Sequence, residues 1–278
     1  MQQHPRPFSA EHPSLRPLPP QRPFDVVVVG AGRVGGSFAR ALERAGHRVL
    51  GELRRDDDPG VIADANVVVI AVPDDEIRQA AGVVARVGRP GAVVMHTCGL
   101  AGLDVLEACG ALVAAVHPAV PVATNNQPLE GTVFGVTCPD DLRAWCAGFV
   151  GDLGGQALFI SEEQRPLYHA ALVMSSNFTV ALAGDAARLL GGHDLIVPLM
   201  RATVDNIQRL GPAAALTGPV VRGDVGTLRA HLAALPVDLI EPYVANARRA
   251  LALAVESGRL GPEAAERVRE ALEEAAHR

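Results

Sequence analysis

The chain has 278 residues, 49% of them hydrophobic, and a formal net charge of −6. That is enough apolar material for one large domain or two modest ones, and the negative charge without a long basic run argues against nucleic acid or an anionic membrane as partner. All 25 basic residues of the Lys-plus-Arg class are arginine, so no lysine ammonium or Schiff base is available for chemistry.

Residues 1–23 hold seven prolines and no apolar h-region, which predicts a disordered leader rather than a signal peptide. The four cysteines (Cys98, Cys109, Cys138, Cys146) are scattered without a CxxC pair. They read as thiols of a reducing compartment, with no disulfide frame and no metal site. No apolar stretch approaches the roughly 20 residues of a bilayer span, and the expected location is cytoplasmic.

From Asp25 to about Ile160, valine-rich runs alternate with segments of helical pattern. "DVVVV", "RVLGEL", "NVVVIAV", "AVVMH", "LVAAVH" and "TVFGVTC" predict strands buried on both faces, hence mainly parallel and covered by helices. Between the first two, Phe38, Ala41, Leu42 and Ala45 fall at helical spacing and Gly46 fits the C′ position. The expected class is α/β, an N-terminal doubly wound Rossmann sheet over residues 24–160 followed by an all-α domain over 161–278.

"GAGRVG" matches GxGxxG at Gly30, Gly32 and Gly35, with Ala31, Arg33 and Val34 between them. The motif gains weight from its place after a buried strand and at the opening of a helix. Gly30 permits the tight turn, Gly32 lets backbone approach a pyrophosphate, and Gly35 lets helix and strand pack closely. The free N–H groups and positive dipole of the helix N-terminus suit the phosphates. After the second strand, "GELRRDDD" offers Glu52 to a ribose 2′-OH, favouring NAD, or Arg54 and Arg55 to a 2′-phosphate, favouring NADP. NADP is the preferred expectation and NAD the alternative; a solvated Arg–Asp cluster is the bland reading. In "AVPDDEI", Ala71, Val72 and Pro73 would pass over the cofactor while Asp74 or Asp75 caps the next helix.

Past Ile160 the texture is helical. "SEEQ" (Ser161 to Gln164) fits a capping box, and one long apolar helix is expected from about Pro166 to Leu190. "LMRATVDNIQRL", "VGTLRAHLAAL", "DLIEPYVANARRALALAVESG" and "PEAAERVREALEEAA" follow as helices bounded by Gly, Pro or Asp.

Without lysine, histidine is the natural proton donor near neutral pH. His96 and His117 end strands, where ligands gather in such folds, and His96 is expected near the cofactor. His169 lies early in the long helix, with Ser176 seven residues on and Asn177 displaced around the cylinder; the bland reading is a satisfied core histidine. In "TGPVVRGDVGTLRAHL", Asp224 is a good N-cap, and Arg222 beside it could hold a carboxylate bidentately. The expected catalytic set is His169, Asn177, Ser176, Arg222 and Asp224.

"GAGRVG", "AVPDDEI", "HTCGL", "VHPAVPV", "LYHAALVMSSNF" and "TGPVVRGDVGTLRAHL", in this order, resemble a two-domain family of Rossmann-like oxidoreductases whose C-terminal helical domain was long carried as one of unknown function. The family is similar to the 6-phosphogluconate dehydrogenase-like superfamily, and one branch resembles the alternative ketopantoate reductases. The resemblance implies an NADP-dependent reductase of a small 2-keto acid, with ketopantoate the best single candidate, and a homodimer formed through the helical domain. Related reductases place a lysine on the long helix; its absence here leaves His169 as the donor by position. Alternatives are a prephenate- or pyrroline-carboxylate-type dehydrogenase, or a non-catalytic dinucleotide-binding sensor.

Overall fold

The computed structural model describes residues 19–110 and 112–276. Its first part is a sheet with helices on both faces: β1 (Asp25–Val29), α1 (Arg33–Arg44), β2 (Arg48–Leu53), β3 (Val67–Ile70), α2 (Ile77–Val87), β4 (Val93–His96), β5 (Val113–Pro118), β6 (Val133–Thr137), α3 (Arg143–Asp152) and β7 (Gln156–Phe159). Strand order is β2-β1-β3-β4-β5-β6-β7. Every neighbouring pair is parallel except β5 with β6, where His117 lies opposite Gly135. The chain leaves β1 for β2 on one side and returns to β3 on the other, so the loop after β1 sits at a topological switch point.

The valine runs behave as a doubly covered sheet requires. Val26, Val28, Val67, Val69, Val93 and Met95 enter the core under α1 and α3, whereas Val27, Val68, Ile70 and Val94 enter the opposite core under α2. Strand periodicity of two sends successive side chains to opposite faces, so both must be apolar. Gly46 takes φ +86° after α1, as its place in the sequence implied.

Several sequence expectations change. The sheet gains β7, whose "QALF" is half-buried at the sheet edge and carries little apolar signal. Most of the leader (residues 1–18) lies outside the described residues, but its last part is anchored. The Pro20 carbonyl accepts from Trp145 Nε1 at 2.9 Å, and Arg22 pairs with Asp152 at 2.8 Å. Finally, the long helix is two, α4 (Arg165–Ser175) and α5 (Asn177–Leu190), broken at Ser176 with φ −113° and ψ −72°.

The compact units divide between Asn177 and Phe178, not near Ser161. The reason is α4, which side-chain hydrogen bonds from Arg165 and Tyr168 tie to the sheet. Of the capping box, one half forms: the Gln164 side chain accepts from the Ser161 amide at 2.9 Å.

Together α4 and α5 make a 26-residue segment containing an 18-residue window of mean hydropathy 1.2, which by length and composition alone could cross a membrane. This corrects the expectation that no stretch came close. Its first turn is tied to the sheet by the buried Arg165, which donates to Thr137.

The second unit is all-α. After α5 come α6 (Ile196–Leu210), the one-turn helices α7 (Pro212–Ala215) and α8 (Pro219–Arg222), then α9 (Val225–Ala234), α10 (Val237–Glu256) and α11 (Pro262–Ala276). Leu228, Val244, Leu251, Val268 and Leu272 form its core. Large apolar side chains of α5 and α6, among them Phe178, Val180, Leu199 and Val204, stay exposed.

Candidate functional site

The glycine loop is shaped by close approach. Gly30 has φ +112°, and a Cβ there would meet the Ala71 carbonyl oxygen at 2.3 Å. A Cβ on Gly35 would stand 1.9 Å from the Gly30 carbonyl oxygen and 3.0 Å from Val28 Cγ1. Gly32 differs: a Cβ there would meet nothing within 4 Å. So Gly30 and Gly35 are required by the fold, while the space over Gly32 is open for a ligand. Gly32 is also the N-cap of α1, which has no side-chain cap and no acid in its first turn. Its leading N–H groups therefore face outward without a protein anion. Ala31, Arg33 and Val34 complete the rim, with Arg33 exposed.

Beside this loop lies a cleft of about 300 Å³, lined among others by Gly30, Leu53, Arg54, Arg55, Val72 and Arg86. Glu52 is not among its lining residues; its carboxylate accepts from Arg40 of α1 at 3.0 Å. Arg54 and Arg55 are exposed at the cleft, Arg55 in a close ion pair with Glu76. Ala71 supports Gly30 through its backbone, and Pro73 is exposed at the start of the turn that follows.

His96 corrects an expectation. It is fully buried, its Nε2 donates to the Gly102 carbonyl at 2.9 Å, and its Nδ1 accepts from the Cys98 amide at 3.2 Å. Burial pushes its pKa down to about 4. Both ring nitrogens hold the 97–102 loop, so none is left for a cofactor.

The second cluster stands at the ends of β4 and β5. Arg165, Tyr168 and His169 occupy one face of α4 by their i, i+3, i+4 spacing. Tyr168 Oη lies 2.9 Å from His117 Nδ1. The His117 and His169 rings meet edge to face with centroids 6.0 Å apart. Both crowd Gly99, where a Cβ would be 2.7 Å from His169 Cδ2 and 3.1 Å from His117 Nε2. Beneath them the Arg165 guanidinium is fully buried, donating to Thr137 Oγ1 at 2.9 Å and to the Cys98 carbonyl at 2.5 Å. Its Nε has no hydrogen-bond partner, and among the described residues no carboxylate reaches it as an ion pair. Desolvation pushes His117 down to about 4, with the charges of His169 and Arg165 acting in the same direction.

Of the sequence candidates, then, His169 joins His117, which sequence reasoning weighed only as a strand-end histidine. Ser176 occupies the break after α4, and Asn177 is exposed at the start of α5. Arg222 and Asp224 belong to the other unit. There Asp224 is engaged as the N-cap of α9, accepting from the Thr227 amide at 3.0 Å and its hydroxyl at 2.7 Å. Arg222 is exposed, 3.8 Å from Asp224. Tyr168 and Arg165 were missed. Their one sequence signal is polarity at the start of an apolar helix, at a spacing that puts both on the face of His169.

Residues 52–118 match the family model "Rossmann-like domain", and residues 132–250 match "Domain of unknown function (DUF2520)". No protein of curated function matches the sequence. Among solved structures, a candidate NADP oxidoreductase from Bacteroides fragilis is similar at 23% identity and TM-score 0.65, over 84% of this chain and 97% of that one. Protein TM1727 from Thermotoga maritima is similar at 23% identity and TM-score 0.56, over 90% and 98%. At such identities the likeness establishes the fold.

Proposed function

We propose that the chain is a dinucleotide-dependent oxidoreductase, an NADP-linked reductase of a small 2-keto acid, with ketopantoate the first substrate to try. The observation that carries this reading is the glycine loop at the switch point: two glycines demanded by contact, and a third facing open space at an uncapped helix N-terminus. A pyrophosphate fits that arrangement, since backbone N–H groups would meet its oxygens where a side chain would otherwise stand.

Arg54 and Arg55 at the cleft support NADP over NAD, because a 2′-phosphate is matched by guanidinium groups. Glu52, the group that would instead accept from a ribose 2′-OH, is bonded to Arg40. When bound, the reduced nicotinamide supplies hydride to the carbonyl carbon. His169 gives the proton that the carbonyl oxygen needs as its π pair moves onto it, and recovers one from water. Ser176 and Asn177, next along the chain, orient the substrate. A second copy of the chain covering the exposed apolar side chains of α5 and α6 fits the expected homodimer; light scattering of the purified protein tests that.

The test of function is consumption of NADPH by the purified protein across a panel of 2-keto acids, repeated with NADH. Replacing Arg55 by alanine should weaken NADPH by about 10-fold or more, as for loss of a charge-assisted hydrogen bond, and leave NADH nearly unchanged. Equal losses with both cofactors would overturn the NADP preference.

A further inference from the structure

His117 is close to His169 yet differs from it in what surrounds it. One ring nitrogen is committed to Tyr168 at 2.9 Å, and the other faces the space over Gly99. Among the described residues the Tyr168 hydroxyl has no other acceptor within hydrogen-bond distance. An un-ionised phenol whose hydrogen-bond partner is a ring nitrogen donates its proton to it, because an imidazole nitrogen is a far stronger acceptor than a phenol oxygen. Nδ1 is then the acceptor, and the single proton of the neutral ring stands on Nε2.

The geometry points to His117 as a neutral hydrogen-bond donor, through Nε2–H, to the carbonyl oxygen of the bound 2-keto acid, with Tyr168 the positioning residue that fixes this tautomer. This rests on the reductase reading above. His117 gives up no proton in the reaction; it stabilises charge gathering on oxygen while His169 supplies the proton. A preset donor of this kind lowers the barrier because it needs no reorganisation as charge develops.

Of the surrounding charges, those of His169, Arg165 and His96 favour the neutral ring and that of Asp74 opposes it. Facing His117 are Tyr168, His169 and Arg165 from α4, His96 from β4 and Asp74 from the turn after β3. Arg165, buried with no carboxylate at ion-pair distance among the described residues, places positive charge beneath the ring that Glu162 offsets only in part. It opposes a second proton on His117 and favours an oxyanion nearby. Gly135 is part of the device: a Cβ there would lie 2.4 Å from the Tyr168 hydroxyl oxygen. Only a glycine opposite His117 lets the phenol reach it.

The experiment is a long-range ¹H–¹⁵N spectrum of the full-length protein, labelled at histidine, which reads which ring nitrogen carries the proton. It is paired with the kinetics of Tyr168→Phe, His117→Leu and His117→Gln. Expected are an Nε2–H His117 at neutral pH and a mixed tautomer in Tyr168→Phe. The kcat should fall about 100-fold or more in His117→Leu, as for loss of one oxyanion donor. It should fall less in Tyr168→Phe and be partly restored by the amide donor of His117→Gln. NADPH affinity stays unchanged in all three, which also shows that each variant is folded. An Nδ1–H or doubly protonated His117 at neutral pH overturns the inference, as does an active wild type whose kcat survives His117→Leu. A wild type inert towards every 2-keto acid overturns the reductase reading instead, and the spectrum then judges the tautomer by itself.

Discussion

Two alanine substitutions in one loop should separate folding from cofactor binding. In Gly35→Ala the new Cβ would stand 1.9 Å from the Gly30 carbonyl oxygen and 3.0 Å from Val28 Cγ1. The first is over 1 Å inside normal contact, and the atom it meets is backbone. Helix α1 must therefore lift from β1, at a cost of about 1–3 kcal/mol for overpacking, against a gain of about 0.5–1 kcal/mol from better helix propensity. Net destabilisation follows. In Gly32→Ala the Cβ meets nothing, and φ −87° with ψ −165° is open to any residue. A slightly poorer N-cap and a less flexible unfolded chain nearly cancel, within about 0.5 kcal/mol. Yet that Cβ occupies the space a pyrophosphate needs. Loss of one charge-assisted hydrogen bond, about 1.5–3 kcal/mol, weakens NADPH roughly 10–100-fold. Urea unfolding and NADPH fluorescence titration measure the two effects. Unchanged NADPH binding in Gly32→Ala would refute the placement of phosphate there, and unchanged stability in Gly35→Ala would refute the close helix–strand contact.

His169→Ala should lower turnover by about 10²–10⁴-fold while NADPH binds as before; near-normal turnover would remove His169 from the chemistry. Stability should depend on acid through His96 and His117, both held at about 4 in the fold against an ordinary 6.5. Between those values the unfolded chain binds protons that the fold does not, so stability is complete above pH 6.5 and falls as pH drops towards 4. The loss is up to about 3 kcal/mol for the fully buried His96, and His96→Gln should flatten the slope of denaturation midpoint against pH. Asp224→Ala should lower the denaturation midpoint through the lost cap of α9, and Asp224→Asn should retain it, since asparagine caps as well as aspartate. A drop of equal size in both would assign Asp224 another role.

The sequence by itself determined six of the seven strands and the loop at the switch point. Both are local signals: valine runs long enough to be buried on two faces, and a glycine spacing that a strand–turn–helix junction requires. It also determined α9, α10 and α11 nearly to the residue, since Gly, Pro and Asp mark their ends. Other features are set by contacts between segments far apart in the chain, which no local pattern carries. Helix α4 reads as the start of an all-α domain, yet Arg165 binds Thr137 and Cys98, 28 and 67 residues away, and so joins the sheet. His96 and His117 look alike as strand-end histidines. Only the packing gives one of them two backbone partners and the other a phenol and a free nitrogen beside His169. A strand's hydrophobicity is written in its own residues, whereas the tautomer of a histidine is decided by whatever the fold brings to its two nitrogens.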